Sequence, residues 1–121
     1  MQHANGFLAL VEDAKQHIKE TDVATIKQCL NKCEKFTLID VREDNEWQGG
    51  HIPTAIHMGR GIIERDIEKT IPNRNQEIVL YCGGGYRSAL SALNLQKMGY
   101  TKVISMDGGI HGWLNAGYSL E

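Results

Sequence analysis

Disulfide chemistry has little to work with in this chain. Its 121 residues include only three cysteines, Cys29, Cys33 and Cys82. An odd number with no spacing pattern gives no cross-linked framework. The fold must therefore rest on a hydrophobic core, and one domain of this length can bury one without staples. A reducing compartment suits such a chain. Neither sign of charge dominates: 13 basic residues stand against 15 acidic ones. That balance removes the basic footprint of a nucleic-acid binder and the polybasic patch of a membrane-surface protein. Long apolar runs are missing as well. Phe7–Val11 is followed at once by Glu12 and Asp13, too short and too acidic for a signal peptide or a membrane span. The expectation is a cytoplasmic protein. No internal repeat, low-complexity segment or linker marks a second domain. His51, His57 and His111 stand singly, without the spacing of a metal site.

What is present is an alternation of helical and extended segments. Phe7, Leu8, Leu10, Val11, Ala14 and Ile18 recur at helical spacing and predict an amphipathic helix over 6–17. Thr21 or Asp22 can cap a second helix with an apolar face of Val23, Ile26 and Leu30. Cys29 and Cys33, four residues apart, share that face. They could form a resolving pair or half a metal site, but buried core is the better reading. Residues 36–41 read as a buried strand, and 55–57 as a short one after the Pro53 turn. Ile62, Ile63 and Ile67 suggest a short helix. Strands at Ile78–Tyr81 and Val103–Met106 then alternate with a helix from Ser88 and a last one around His111–Asn115. Such alternation implies right-handed crossovers and a largely parallel sheet covered on both faces, with ligands bound beyond the carboxyl ends of the strands. Cys82, Arg42 and Asp107 all sit just past strand ends.

The sharpest local signal is Cys82-Gly83-Gly84-Gly85-Tyr86-Arg87, between an apolar strand and a helix. Backbone N–H groups and the positive end of the helix dipole converge at that place, which favours thiolate, the nucleophilic form of cysteine. Three successive glycines allow positive φ and let the amides turn inward as an anion nest. Arg87 adds a cation that stays charged at any working pH. A buried structural cysteine beside a tight turn is the bland alternative. The concurrence of all these features within six residues argues for a nucleophilic sulfur in a cradle for negative charge.

Four motifs occur in one order: Leu38-Ile39-Asp40-Val41-Arg42-Glu43 with Glu46-Trp47, then Gly50-His51-Ile52-Pro53-Thr54-Ala55, the Cys82–Ser88 loop, and Met106-Asp107-Gly108-Gly109-Ile110-His111-Gly112-Trp113. On these motifs the chain resembles the single-domain rhodaneses over about residues 18–117. The resemblance implies an α/β fold, a five-stranded mainly parallel sheet flanked by helices on both faces. Residues 1–17 would then be an N-terminal helical extension, packed on the side of a domain spanning 18–121. It also implies a two-step sulfur transfer without a cofactor. The Cys82 thiolate would take the outer sulfur of thiosulfate or of a persulfidated protein, and the resulting persulfide would pass it to cyanide or a thiol.

Roles follow by position. Cys82 is the nucleophile, cradled by the backbone of Gly83, Gly84, Gly85, Tyr86 and Arg87. The Arg87 side chain either steers the donor anion or folds outward into a salt bridge. Ser88 is a hydroxyl facing the loop or, better, the helix cap. Asp40 and Arg42 match the family's Asp-x-Arg motif and are expected to brace the active loop through an ion pair. Arg60 is a candidate anion-binding residue. Trp47 and Trp113 read as core or rim packing. Thr54 stands where a glycine is common, and Gly83 where some thiosulfate-using members carry a basic residue, so weak thiosulfate turnover is expected. Two rivals remain. One is a phosphatase or arsenate reductase: phosphatases of this fold have one residue more between Cys and Arg than the four here, and the shorter loop suits sulfur better than a phosphoryl group. Non-catalytic interaction modules of the fold commonly lack the cysteine that this loop retains.

Overall fold

Period-two alternation decides which layer each strand residue serves. The computed structural model describes residues 3–121. Among them are five strands: β1 (Lys19–Thr21), β2 (Thr37–Asp40), β3 (Ile56–His57), β4 (Ile78–Tyr81) and β5 (Val103–Met106). They form one sheet in the order β1-β5-β4-β2-β3, every pair parallel. Ile39, Ile78 and Leu80 face one layer, whereas Leu38, Val79 and Tyr81 face the other. With both faces covered, β4 is buried along its whole length, which explains its unbroken apolar composition.

Six helices supply the cover: α1 (Asn5–Lys15), α2 (Val23–Asn31), α3 (Asp44–Gln48), α4 (Ile63–Thr70), α5 (Tyr86–Lys97) and α6 (Gly109–Asn115). Ile63 and Ile67 of α4 join Ala92 and Leu95 of α5 on the first layer. Val23 and Ile26 of α2 join Ile110 and Trp113 of α6 on the second. α1 lies outside α5, with Val11 and Ala14 against Ala89 and Leu90. α5 is thus clasped between sheet and helix, which buries it on two sides.

Several elements depart from expectation. β1 is an edge strand of Lys19, Glu20 and Thr21, set beside Ile104, Ser105 and Met106. It has no apolar alternation, so only its pairing reveals it. α3 is short and buries no residue. Its signal is the capping box of Glu43 and Glu46, in which each reaches the other's backbone N–H. α1 ends at Lys15 rather than 17, and the strand expected over 36–41 is Thr37–Asp40. Asp22 rather than Thr21 caps α2, accepting from Thr25 N at 2.7 Å.

The expectation that Cys29 and Cys33 share a buried helix face is corrected. α2 stops at Asn31, and Cys33 lies beyond it, exposed, at φ 56°. Cys33 N donates to Leu30 O and Glu34 N to Cys29 O, the paired bonds of a Schellman stop. Cys33 fills the left-handed position there, and Cys29 is only half-buried.

Thr54 is the other non-glycine residue with positive φ, at 74°. A β-branched residue is strained in that region. Thr54→Gly should stabilise the protein by about 0.5–1 kcal/mol, the left-handed strain relieved less the extra freedom glycine gives the unfolded chain. Urea unfolding of both proteins measures it; a lower midpoint for the glycine variant would refute the strain argument.

Candidate functional site

Cys82 follows β4, a strand flanked on both sides by parallel neighbours, so it opens beyond the carboxyl end of the sheet. It is in register with Ile78 and Leu80 and turns its side chain toward α5. Gly85 is the N-cap of α5 at φ 101°, and the helix begins at Tyr86, two residues before the expected start. Gly85 N and Ser88 N both point at Cys82 Sγ, at 3.2 and 3.4 Å. Free N–H groups of a helix start thus meet the sulfur, as an anion site requires.

This geometry corrects the reading of Ser88 as the helix cap. Ser88 is the third residue of α5 and fully buried. Its Oγ lies 3.6 Å from Cys82 Sγ and 2.8 Å from Ser105 Oγ. Either hydroxyl can donate in the second contact. With the sulfur as thiolate, Ser105 can donate to Ser88 and Ser88 to sulfur, leaving no donor unpaired. Ser105 comes from β5 and is itself fully buried. Sequence reasoning missed it, because a serine in a strand carries no sign of the helix residue it will face.

The loop is held from behind by α6. Ile110 N donates to Cys82 O at 2.9 Å and His111 N to Gly83 O at 3.0 Å. Those are first-turn donors of α6, which would otherwise lack partners. The approach is so close that only glycine fits at 109. A Cβ there would stand 2.4 Å from Cys82 O and 2.5 Å from Gly83 O.

Arg87 combines features of both alternatives, a salt bridge to Glu46 and a place on the cavity wall beside the sulfur. Its guanidinium pairs with Glu46, Nη1 to Oε1 at 2.8 Å and Nη2 to Oε2 at 3.2 Å. The hydrogen bonds from Arg87 pull the Glu46 carboxyl down to about 2 despite partial burial. Glu46 also accepts from Glu43 N at 3.0 Å, so one carboxylate caps α3 and anchors the loop arginine.

Asp40 and Arg42 form the expected ion pair, at 2.8 Å with both side chains buried. Their hold on the active loop needs correction, however. Arg42 Nη2 donates to Gly50 O at 2.8 Å, and Tyr81 Oη accepts from Ile52 N at 3.1 Å. The pair braces the turn at 50–52. It reaches the loop only at its root, where Val41 N donates to Tyr81 O. Burial, with Asp40 nearby, pushes the Tyr81 hydroxyl far above the usual phenol range, so it stays neutral.

A cavity of about 680 Å³ opens beside the sulfur. Cys82, Gly83, Gly84, Tyr86 and Arg87 line it, and so does Arg60. Arg60 Nε is buried without a hydrogen-bond partner among the described residues. Asp40 and Arg42 lie away from it. Four lining residues were not foreseen as such: Glu46, His111, and His3 and Phe7 at the N-terminus. Phe7 shows up in the sequence only as one apolar position of an amphipathic helix, which does not distinguish core from pocket wall.

Residues 11–116 match the rhodanese-like domain family, and the chain belongs to that family. Its relatives include a sulfurtransferase of Allochromatium vinosum, 31% identical over 100 residues that cover 83% of this chain and 92% of that protein. YrkF of Bacillus subtilis is 33% identical over 96 residues, 79% of this chain but 51% of that protein, so the chain spans about half its length. Among solved structures, a Rhodopseudomonas palustris protein of unknown function, described as a possible tyrosine phosphatase, superimposes with a TM-score of 0.87 at 28% identity. That match covers all of this chain and 98% of the other. Sulfur transfer is the activity these family relationships support.

Two outcomes follow from the geometry. Gly109→Ala should displace the Cys82–Gly83 backbone and lower the rate of Cys82 alkylation by iodoacetamide ~100-fold, as removal of preorganised donors does elsewhere; an unchanged rate would refute the contact. Glu46, with its folded value below its unfolded one, contributes stability in full above the ordinary carboxylate range of about 4.5 and loses it as pH falls toward about 2. Glu46→Gln should flatten stability between those limits, measured as urea midpoints against pH.

Proposed function

We propose that this protein is a cytoplasmic sulfurtransferase that carries a sulfane sulfur on Cys82. Donors are thiosulfate or a persulfide, and acceptors are cyanide or a thiol. The observation that carries the reading is the sulfur itself, with two backbone N–H groups at 3.2 and 3.4 Å and a cavity in front of it. In the first step the Cys82 thiolate attacks the outer sulfur of thiosulfate. A Cys82–S–S⁻ bond forms as the S–SO₃ bond breaks, and sulfite leaves with the bonding pair. In the second, cyanide attacks the outer sulfur, thiocyanate departs and the Cys82 thiolate returns. The same donors can receive the persulfide anion, because they are already oriented and need not reorganise. Three free cysteines and no helix, among the described residues, able to cross a membrane are in keeping with the compartment.

Thiosulfate should be a modest donor. Arg87 is neutralised by Glu46, and a side chain at position 83 would begin 3.2 Å from both Arg87 Nη2 and His111 Nε2. A basic residue there therefore has no room without displacing one of them. The phosphatase description of the R. palustris protein does not transfer readily. Only four residues separate Cys82 from Arg87, and that arginine is already paired with Glu46.

Intact-protein mass spectrometry after thiosulfate and then cyanide tests the reading. Wild type should gain one sulfur atom and lose it to cyanide, while Cys82→Ser gains none. Sulfur uptake by the serine variant, or none by wild type with any sulfane donor, would overturn it.

A further inference from the structure

Cyanide and thiosulfate are small, and the space beside Cys82 is not. With a water's share of the liquid at ~30 Å³, either anion would occupy a minor part of the 680 Å³ cavity. The remaining room has two walls of different chemistry. One is aromatic. Phe7 of α1 and His3 just before it meet the Tyr86 ring edge-on, at 6.2 and 4.7 Å between centroids. Lys15, at the far end of α1, stands 5.5 Å from the same ring and pairs with Glu20 and Asp107. α1 is thereby fastened across Tyr86, and its Phe7 faces the cavity. The other wall carries Arg60. Whereas Arg87 is paired with Glu46, Arg60 makes no ion pair among the described residues, and its buried Nε has no acceptor. Buried donors are ordinarily paired, so an acceptor brought by a ligand would complete this one.

We propose that the sulfur acceptor is a low-molecular-weight organic thiol with an apolar, ring-sized body and an anionic group. The body packs on Phe7 and Tyr86, and the anion meets Arg60. This rests on the sulfur-transfer reading above and gives its acceptor a chemical class. The acceptor thiolate RS⁻ attacks the outer sulfur of Cys82–S–S⁻. An RS–S bond forms, the bond to Cys82 breaks, and its electron pair returns to Cys82 as thiolate. RS–S⁻ leaves, with no net oxidation and no proton consumed. His3 and Phe7, in what we treat as an extension to a domain of 18–121, thus act in substrate selection.

The test loads Cys82 from thiosulfate or cysteine persulfide, then discharges it with cyanide, 2-mercaptoethanol or 4-mercaptophenylacetate under mass-spectrometric readout. The aromatic acid should discharge the persulfide faster than 2-mercaptoethanol and show saturation. Phe7→Ala should lower the ratio of aromatic-acid to cyanide discharge ~10-fold, the scale of lost apolar contact in a pocket. Arg60→Gln, which leaves α1 untouched, should lower the discharge ratio of the aromatic acid to 4-methylbenzenethiol, which lacks the carboxylate, ~10-fold. Leu10→Ala, on the exposed side of α1, should leave both ratios at wild-type values. Ratios unchanged in Phe7→Ala and Arg60→Gln, or an aromatic acid no better than 2-mercaptoethanol, would overturn the proposal while sulfur transfer stands. A wild type that never loads sulfur would overturn both.

Discussion

The grip of α6 on the carbonyls of Cys82 and Gly83 is the contact on which the site depends. Two N–H groups, of Ile110 and His111, take those carbonyls from behind. With the carbonyls so engaged, the following amides of the turn are left to face the sulfur. The approach requires Gly109 without a Cβ and Gly85 in a left-handed conformation, so two separated glycines serve one loop. A parallel sheet makes the arrangement economical, since β4 delivers the cysteine and β5 leads into the helix that holds it.

Charge around the loop follows the same logic of fixed partners. Arg87 is not a free cation but one half of a bidentate pair with Glu46, and Glu46 is also part of the box that starts α3. Asp40 and Arg42 form a second closed unit, which holds the 50–52 turn. The second pair is buried and the first half-buried, and each is tolerated because its carboxylate is paired and hydrogen-bonded. Arg60 is the exception beside the sulfur, and it is there that the pocket keeps an unused donor.

α1 changes the character of this site. A rhodanese-like sheet with its cysteine loop presents a small anion cradle. The N-terminal segment adds an aromatic wall to it, with Phe7 and His3 against Tyr86. Val11 and Ala14, on the same stripe of that helix as Phe7, are buried on α5, so packing energy and pocket shape come from one face of one helix.

Much of this was legible in the residues alone. The alternation of apolar strands and amphipathic helices determined a parallel α/β sheet, because burial on both faces demands such patterns. The Cys82–Arg87 run determined where a nucleophile and an anion nest would stand, since that chemistry is local to six residues. What only the tertiary structure decided depends on partners distant in sequence. β1 is polar and exists through its pairing with β5; Ser105 matters because α5 brings Ser88 to it; Arg87 is paired because Glu46 lies within reach. Phe7 becomes a pocket wall through where α1 docks. Helical periodicity tells which face of a helix is apolar, but not what that face will cover.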